Sequence, residues 1–536
     1  MRAKPLVKGV TTICLLAILF LSCDSSVGVF DLVISNGVIV DGTGNPWYRG
    51  DIGVRKGKIA RVGALADSKS KRVIEATGLV VSPGFIDMHT HTERKMLDFP
   101  DVENYIRQGV TTVVGGNCGS SPYPVGDYFA DVERTGVSLN LALLVGHNTV
   151  RKKVMGAEDR SPTAEEMEQM KQLVERAMAE GAVGMSTGLK YIPGAYSKTG
   201  EVVKLAKVAA DYGGFYATHM REEGLGLFES VAEAIQIGTE AGVPVQISHH
   251  KAVGKSMWGG SEKTLQMIDA AARTGLDITV DQYPYPATST GLTVVFPAWS
   301  LAGEREELKN RLDDSESRAR IKKAIVNNIL FDRGGGDPAS IVVSSYAEDT
   351  SLEGKNLAEI TQMRGMSPTA DNAAEVLMEL VYAGKGSGIY HCLHEDDIKR
   401  IMQHPRTMHA SDGSTIEFGA AKPHPRSYGT YPRVLGRYVR EEGVISLEEA
   451  IRKMTSLPAQ RLSLQDRGLI KEGMWADIVV FDPDSVIDTA TWLEPHRYPE
   501  GIPYVLVNGR PVIDGGNRTE VFSGKILYGA GKKEEK

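Results

Sequence analysis

Pro83-Gly84-Phe85-Ile86-Asp87-Met88-His89-Thr90-His91 is the stretch from which the fold can be read. Phe85 and Ile86 predict a buried strand, and side chains two apart on a strand face the same way, so His89 and His91 form a pair. The carboxyl end of a buried parallel strand is where barrels place their chemistry. Neutral imidazole is a good Zn²⁺ ligand, and two of them fit one tetrahedral site. H-x-H alone arises often by chance. Here, however, Cys118, His219, His249 and Asp412 each follow a short apolar run of their own. A helix gathers ligands locally; ligands this scattered meet only where strand ends converge on one rim.

The surrounding chain supports such a rim. Thr163-Ala164-Glu165-Glu166 has capping-box spacing, and Met167, Met170, Leu173, Val174, Ala177 and Met178 then recur at helical intervals until Gly181. Val183-Gly184-Met185-Ser186 follows as a buried strand, and the same helix–Gly–strand order returns around Gly242 and Gly275. Serial units of this kind predict an α/β fold with a parallel sheet and outer helices. Over 83–464 a closed (β/α)8 TIM-like barrel fits best, with a doubly wound open sheet as the alternative. A charge-dense excursion at about 300–340, ending in Gly334-Gly335-Gly336, is expected as an inserted subdomain over the barrel mouth.

Both ends of the chain read as β-structure. Asn36-Gly37 between β-branched runs predicts a hairpin, and the pattern returns at Asn508-Gly509. Residues 27–82 and 465–527 are therefore expected to assemble one small β-sandwich domain. The first residues stand apart from the fold. Arg2, Lys4 and Lys8 precede an apolar run from Val10 to Leu21, then Leu21-Ser22-Cys23, so 1–23 resembles a lipoprotein-type signal peptide. Export to the periplasm or cell envelope follows as the expectation, with Cys23 lipidated as a membrane tether or, alternatively, incidental to an ordinary cleaved signal. Only Cys118 and Cys392 then remain in the folded body, too few for a disulfide framework. The net charge of −7 is spread along the chain, which implies no nucleic-acid partner.

With His89 and His91 go Gly115-Gly116-Asn117-Cys118-Gly119, Ser186-Thr187-Gly188-Leu189, Thr218-His219-Met220-Arg221, Ile247-Ser248-His249-His250-Lys251, Asp281-Gln282-Tyr283-Pro284, Ser411-Asp412-Gly413 and the run His424 to Arg433. On these motifs the chain resembles the amidohydrolase superfamily, and within it the N-acyl-D-amino-acid deacylases (D-aminoacylases). The resemblance implies zinc-dependent hydrolysis of a small-molecule N-acyl-D-amino acid to a carboxylate and a free D-amino acid. It assigns one tightly bound Zn²⁺ to Cys118, His219 and His249, and a second, weaker one to His89 and His91. Asp412 would shuttle the proton as metal-bound hydroxide attacks the amide. Handedness comes wholly from the resemblance.

Other readings stay open at this stage. Cys118 by itself reads as a small buried hydrophobe, and Ser411-Asp412-Gly413 as a turn. A cyclic-amide hydrolase of the hydantoinase or dihydroorotase type would use a barrel lysine, and Val183 to Thr187 carries none before Lys190. A ligand-binding lipoprotein on a degenerate barrel is the non-enzyme alternative. Lys251, Arg426, Tyr191 and Tyr283 are the candidate substrate contacts, for the α-carboxylate and as hydroxyl donors. Arg221 and Glu222 are candidate supports for the ligands; His250 is expected to face away, and His409 not to ligate.

Overall fold

The computed structural model describes Met1, residues 29–303 and residues 305–532. The leader and Cys23 lie outside the described residues.

The chain opens with β1 (Leu32–Ile39), β2 (Tyr48–Arg55), β3 (Lys58–Gly63), β4 (Val73–Glu75) and β5 (Val80–Pro83). Seven barrel strands come next: β6 (Phe85–Asp87), β7 (Val110–Gly115), β8 (Asn140–Gly146), β9 (Gly184–Gly188), β10 (Phe215–His219), β11 (Val245–Ile247) and β12 (Ile278–Gln282). After an excursion containing β13 (Thr288–Gly291), β14 (Ile341–Tyr346) and β15 (Gly386–Tyr390), the chain returns as the eighth barrel strand, β16 (Thr407–His409). It ends with β17 (Ile478–Phe481), β18 (Tyr504–Val507), β19 (Arg510–Asp514) and β20 (Asn517–Arg518).

The barrel strands are parallel and pair in sequence order from β6 to β12, then β16. Ligand-bearing segments close the seam between the two edge strands. Asp412 N–H donates to the His89 carbonyl at 2.8 Å, and His91 N–H donates to the Gly413 carbonyl at 2.8 Å. Outer helices pack as their sequence dictates. In the helix Ala164–Glu180, Thr163 and Glu166 form the reciprocal capping box, and Met167, Met170, Val174, Ala177 and Met178 are buried.

Both ends of the chain build one nine-stranded hydrogen-bonded sheet, in the order β20-β19-β18-β17-β5-β1-β2-β3 with β4 against β1. Its strands contribute Ile34, Ile52, Ile59, Val81, Ile478 and Leu506 to one apolar cluster, while Val479, Val505 and Val512 join the barrel's core. The hairpin expected at Asn36-Gly37 is instead a bulge inside β1, where Asn36 takes φ 61 and the pairing with β2 slips. β2 pairs with β1 on both sides of the dipeptide, so the strand continues through it. Asn508-Gly509 does turn, joining β18 to antiparallel β19 with both residues at positive φ.

In the excursion, β13, β15 and β14 form an antiparallel sheet packed with the helices Arg305–Asp313 and Ser315–Phe331. Ile321, Ile325, Ile329, Val343, Leu377 and Tyr390 share its apolar cluster, so the charged stretch is one part of a larger unit.

Candidate metal centre

The site is assembled at the carboxyl ends of the barrel strands: His219 is the last residue of β10, and the other ligands sit just beyond their strands. β7 ends at Gly115 and the chain then curls to present Cys118 at φ 53. The turn is tight enough that a Cβ on Gly119 would stand 2.2 Å from Asn148 Oδ1. His249 (φ 36) and Asp412 (φ 49) are left-handed as well. A non-glycine residue in this region costs roughly 1–2 kcal/mol and persists only where its surroundings hold it. Three such residues on one rim mark the place where the fold accepts strain.

Cys118 is the hub. Its Sγ lies 3.5 Å from His249 Nε2, 3.7 Å from His219 Nδ1 and 3.3 Å from His89 Nε2. Asp412 Oδ1 stands 3.4 Å from His89 Nε2 and 3.3 Å from His91 Nε2. Two donor sets result, Cys118–His219–His249 and His89–His91–Cys118–Asp412, each with ligand atoms within 4.8 Å of one another and with the thiol common to both. Tetrahedral zinc, with bonds of about 2.3 Å to sulfur and 2.0–2.1 Å to nitrogen, places two ligand atoms roughly 3.4–3.6 Å apart. The thiol–imidazole spacings match that. His219 Nδ1 and His249 Nε2, at 2.7 Å, need to part by about half an ångström to share an ion. The soft thiolate and imidazole donors suit zinc in the first set, and the carboxylate makes the second set harder.

Buried acids orient the imidazoles from behind. Asp281 accepts the His249 backbone N–H at 2.6 Å and lies 3.5 Å from His89 Nδ1. Asp87 accepts backbone N–H groups of both His89 and Ser411 at 3.1 Å, tying the first barrel strand to the last. Glu223 is the main anchor of the first set: it lies 3.1 Å from His249 Nδ1 and 3.6 Å from His219 Nε2, and it also pairs with Lys251 and Arg333. The sequence points instead to its neighbours Arg221 and Glu222. Glu222 is occupied by Lys190 at 2.8 Å, and Arg221 by Glu233 at 2.8 Å. Strand alternation ends at His219, and the chain beyond it bends so that Glu223, not Glu222, turns inward.

The electrostatics follow from burial opposed by close charge. Burial alone would push the Cys118 thiol up, but His89 and His249 outweigh it and hold it well below its usual range. Asp412 is treated likewise: Arg426, His89 and His249 overcome burial and keep it ionised. Glu223 is held low against burial by Lys251, His219 and His249. The centre thus gathers thiolate and carboxylate charge in a buried pocket, the complement of a divalent cation.

Over this centre lies a chamber of about 500 Å³ whose other walls include Arg94, Asn148, Lys152, Tyr191, Ser289 and Arg426. Arg426 Nη1 lies 2.8 Å from Asp412 Oδ2, and its guanidinium covers the Tyr283 ring at 4.7 Å. The Tyr191 ring packs tilted against His219, with centroids 4.5 Å apart, and its hydroxyl accepts from Thr290 at 3.1 Å, which leaves the phenolic proton free. Lys251 lies behind His249, 2.7 Å from its Nδ1, and Tyr283 lies beneath Arg426; neither lines the chamber. His250 faces outward to Thr264 at 2.8 Å, and His409 is buried with neither ring nitrogen bonded. Lys190, the nearest lysine to β9, is the one held by Glu222.

Residues 72–289 and 342–513 match the model of the amidohydrolase family. The chain belongs to that family, in its N-acyl-D-amino-acid deacylase branch. It is 37% identical to the D-aminoacylase of Alcaligenes xylosoxydans xylosoxydans, across 93% of this chain and 97% of that one. It superposes at TM-score 0.79 and 36% identity on N-acyl-D-glutamate deacylase from Bordetella bronchiseptica, covering 94% of this chain and 100% of that one. That crystal structure is of a complex with zinc and a phosphonate mimic of the tetrahedral intermediate. A D-aminoacylase structure at TM-score 0.79 and 36% identity, covering 93% of this chain and 100% of that one, is described in terms of a binuclear centre with one-metal activation and second-metal attenuation.

Proposed function

We propose that the protein is a zinc-dependent deacylase of N-acyl-D-amino acids. The observation that carries this reading is the Cys118 thiol shared by two donor sets beneath a chamber that also holds Arg426. Cys118, His219 and His249 would hold the tight zinc, and His89 and His91, with Asp412, the weaker second ion. Zinc supplies Lewis acidity and lowers the pKa of a water to about 7.

The chain's own residues do the rest. Arg426, with the hydroxyl of Ser289, receives the substrate α-carboxylate. Tyr191 offers its proton to the carbonyl oxygen as charge builds there. Asp412, ionised and steadied by Arg426, accepts a proton from the attacking water. It passes that proton to the amide nitrogen, so the C–O bond forms as the C–N bond breaks and the amine leaves neutral. Lys251 and Glu223 act through His249 by fixing its ring.

The preference for D substrates rests on the relatives. Zinc content together with rates on paired N-acetyl-D and N-acetyl-L amino acids of neutral, acidic and basic type tests the reading. Stoichiometric zinc and turnover confined to D substrates are expected, and turnover of L substrates alone would overturn it. The leader-like residues before Asp24 support export with a lipid tether on Cys23. Mass spectrometry of the mature N-terminus checks this, and an intact Met1 would refute it.

A further inference from the structure

The inserted unit reaches into the barrel at one point. Its helix Ser315–Phe331 ends at the surface, with Phe331 53% exposed, and the next four residues, Asp332 to Gly335, are buried. Glycines on both sides permit that descent. A Cβ on Gly334 would run into the Ile329 backbone, and one on Gly224, in the barrel, would run into the Asp332 carboxylate. The turn is thereby seated against the segment that carries Glu223. Arg333, 4% exposed, is the side chain it delivers. Its Nη2 donates to Glu223 Oε2 at 2.7 Å, and its Nη1 to the Thr288 hydroxyl at 3.4 Å. Arg333 does not line the chamber over the metal centre.

The two oxygens of Glu223 face different partners. Oε1 faces Lys251 and, at 3.1 Å, His249 Nδ1. Oε2 faces Arg333 and, at 3.6 Å, His219 Nε2. Lys251 follows His249 closely in the chain, so the first arrangement is local. The second is made by a cation from the inserted unit. His219 presents Nδ1 to Cys118 and His249, so as a neutral ligand through Nδ1 it carries its proton on Nε2. Among the described residues that buried Nε2 makes no hydrogen bond, and Glu223 Oε2 is the carboxylate oxygen facing it. The position of Oε2 therefore governs how the His219 ring is turned when it ligates. Resting on the zinc set of the deacylase reading, we propose that Arg333 is a positioning residue for the metal centre. By holding Oε2 toward His219, the inserted unit sets the zinc affinity of Cys118, His219 and His249.

Charge alone predicts the opposite sign. Arg333 is a buried cation near a cation site, so its removal would by Coulomb attraction tighten zinc. A loss of affinity on its removal therefore reports placement. Chelator competition on the folded, full-length enzyme measures zinc affinity without turnover. Arg333→Met should weaken zinc about tenfold, the low end of the range for outer partners of metal ligands. Affinity equal to or above that of a zinc-binding wild type overturns the proposal and leaves the deacylase reading standing. A wild type that holds no tight zinc overturns both. In a Glu223→Gln background, Arg333→Met should change affinity by no more than about twofold, because the group it acts through is gone. A full loss there would show that Arg333 acts by another route and refute the proposal. Arg333→Lys keeps the charge but gives up the planar fork, so its zinc affinity should fall between wild type and Arg333→Met. Should Arg333→Met fail to fold, Arg333→Lys carries the test, with weaker zinc expected and unchanged zinc overturning the proposal.

Discussion

Glu223 is in contact with four groups that are cationic or become so on protonation: His219, His249, Lys251 and Arg333. Glu223→Gln keeps the shape but removes the charge that orients both imidazoles. Zinc affinity should fall about 10- to 100-fold, as for other outer partners of metal ligands. Stability should drop by about 3–5 kcal/mol, because Lys251 and Arg333 are left buried without a counter-charge. Chelator competition and denaturant titration measure the two effects, and unchanged zinc affinity would confine Glu223 to a packing role. Asp412 calls for a different readout. Asp412→Asn should lower kcat by about 10²–10⁴ with zinc retained on Cys118, His219 and His249, since general acid–base transfer is worth that much. Metal analysis beside steady-state kinetics separates the two effects, and an active variant would remove Asp412 from its role.

Among the elements, β16 positions Asp412, which follows it by only a few residues. Lys453, on the helix Leu447–Met454, clamps the approach to this strand by donating to the carbonyls of His404 and Thr407. Burial pushes its pKa down to about 8 from the usual 10.5. The folded protein therefore binds fewer protons at this site than the unfolded chain between those values, so stability rises with pH there. Relative to Lys453→Met, the wild type should gain up to about 3 kcal/mol between pH 8 and 10.5. Urea midpoints across that range test it, and a difference independent of pH would show that Lys453 is charged throughout.

The whole molecule separates function from anchorage along the barrel axis. The metal centre occupies the carboxyl ends of the strands, while the tail after β20 runs along the opposite end. Gly524 N–H donates to the Val137 carbonyl, Ile526 bridges to Leu141 at the start of β8, and Leu527 N–H donates to the Leu141 carbonyl. Truncation after Arg518 should cost at least about 2–3 kcal/mol, the burial of Ile526 alone being of that order. KM and zinc content should remain unchanged. A truncated enzyme with altered KM would show that the tail reaches the chemistry. At this scale the barrel was legible early, because helix–Gly–strand periodicity is local. The excursion extends beyond 300–340, because β13, β14 and β15 come from separated segments and pair only in three dimensions.

By itself the sequence determined which residues could bind a metal and that strand ends had to bring them together. Apolar runs ending in His89, His219 and His249 allow little else. Only the tertiary structure decided that Asp412 stands with His89, His91 and Cys118 in the second set, beyond the division that the resemblance implies. Cys118 serves both sets because left-handed turns at Cys118, His249 and Asp412 override strand alternation, and no periodicity encodes such turns. The same limit hid Glu223, which turns inward only because the chain bends after His219. Asn36-Gly37 and Asn508-Gly509 make the point with one dipeptide. The second turns and the first is drawn straight through β1, because a continuous partner strand outweighs a local turn preference.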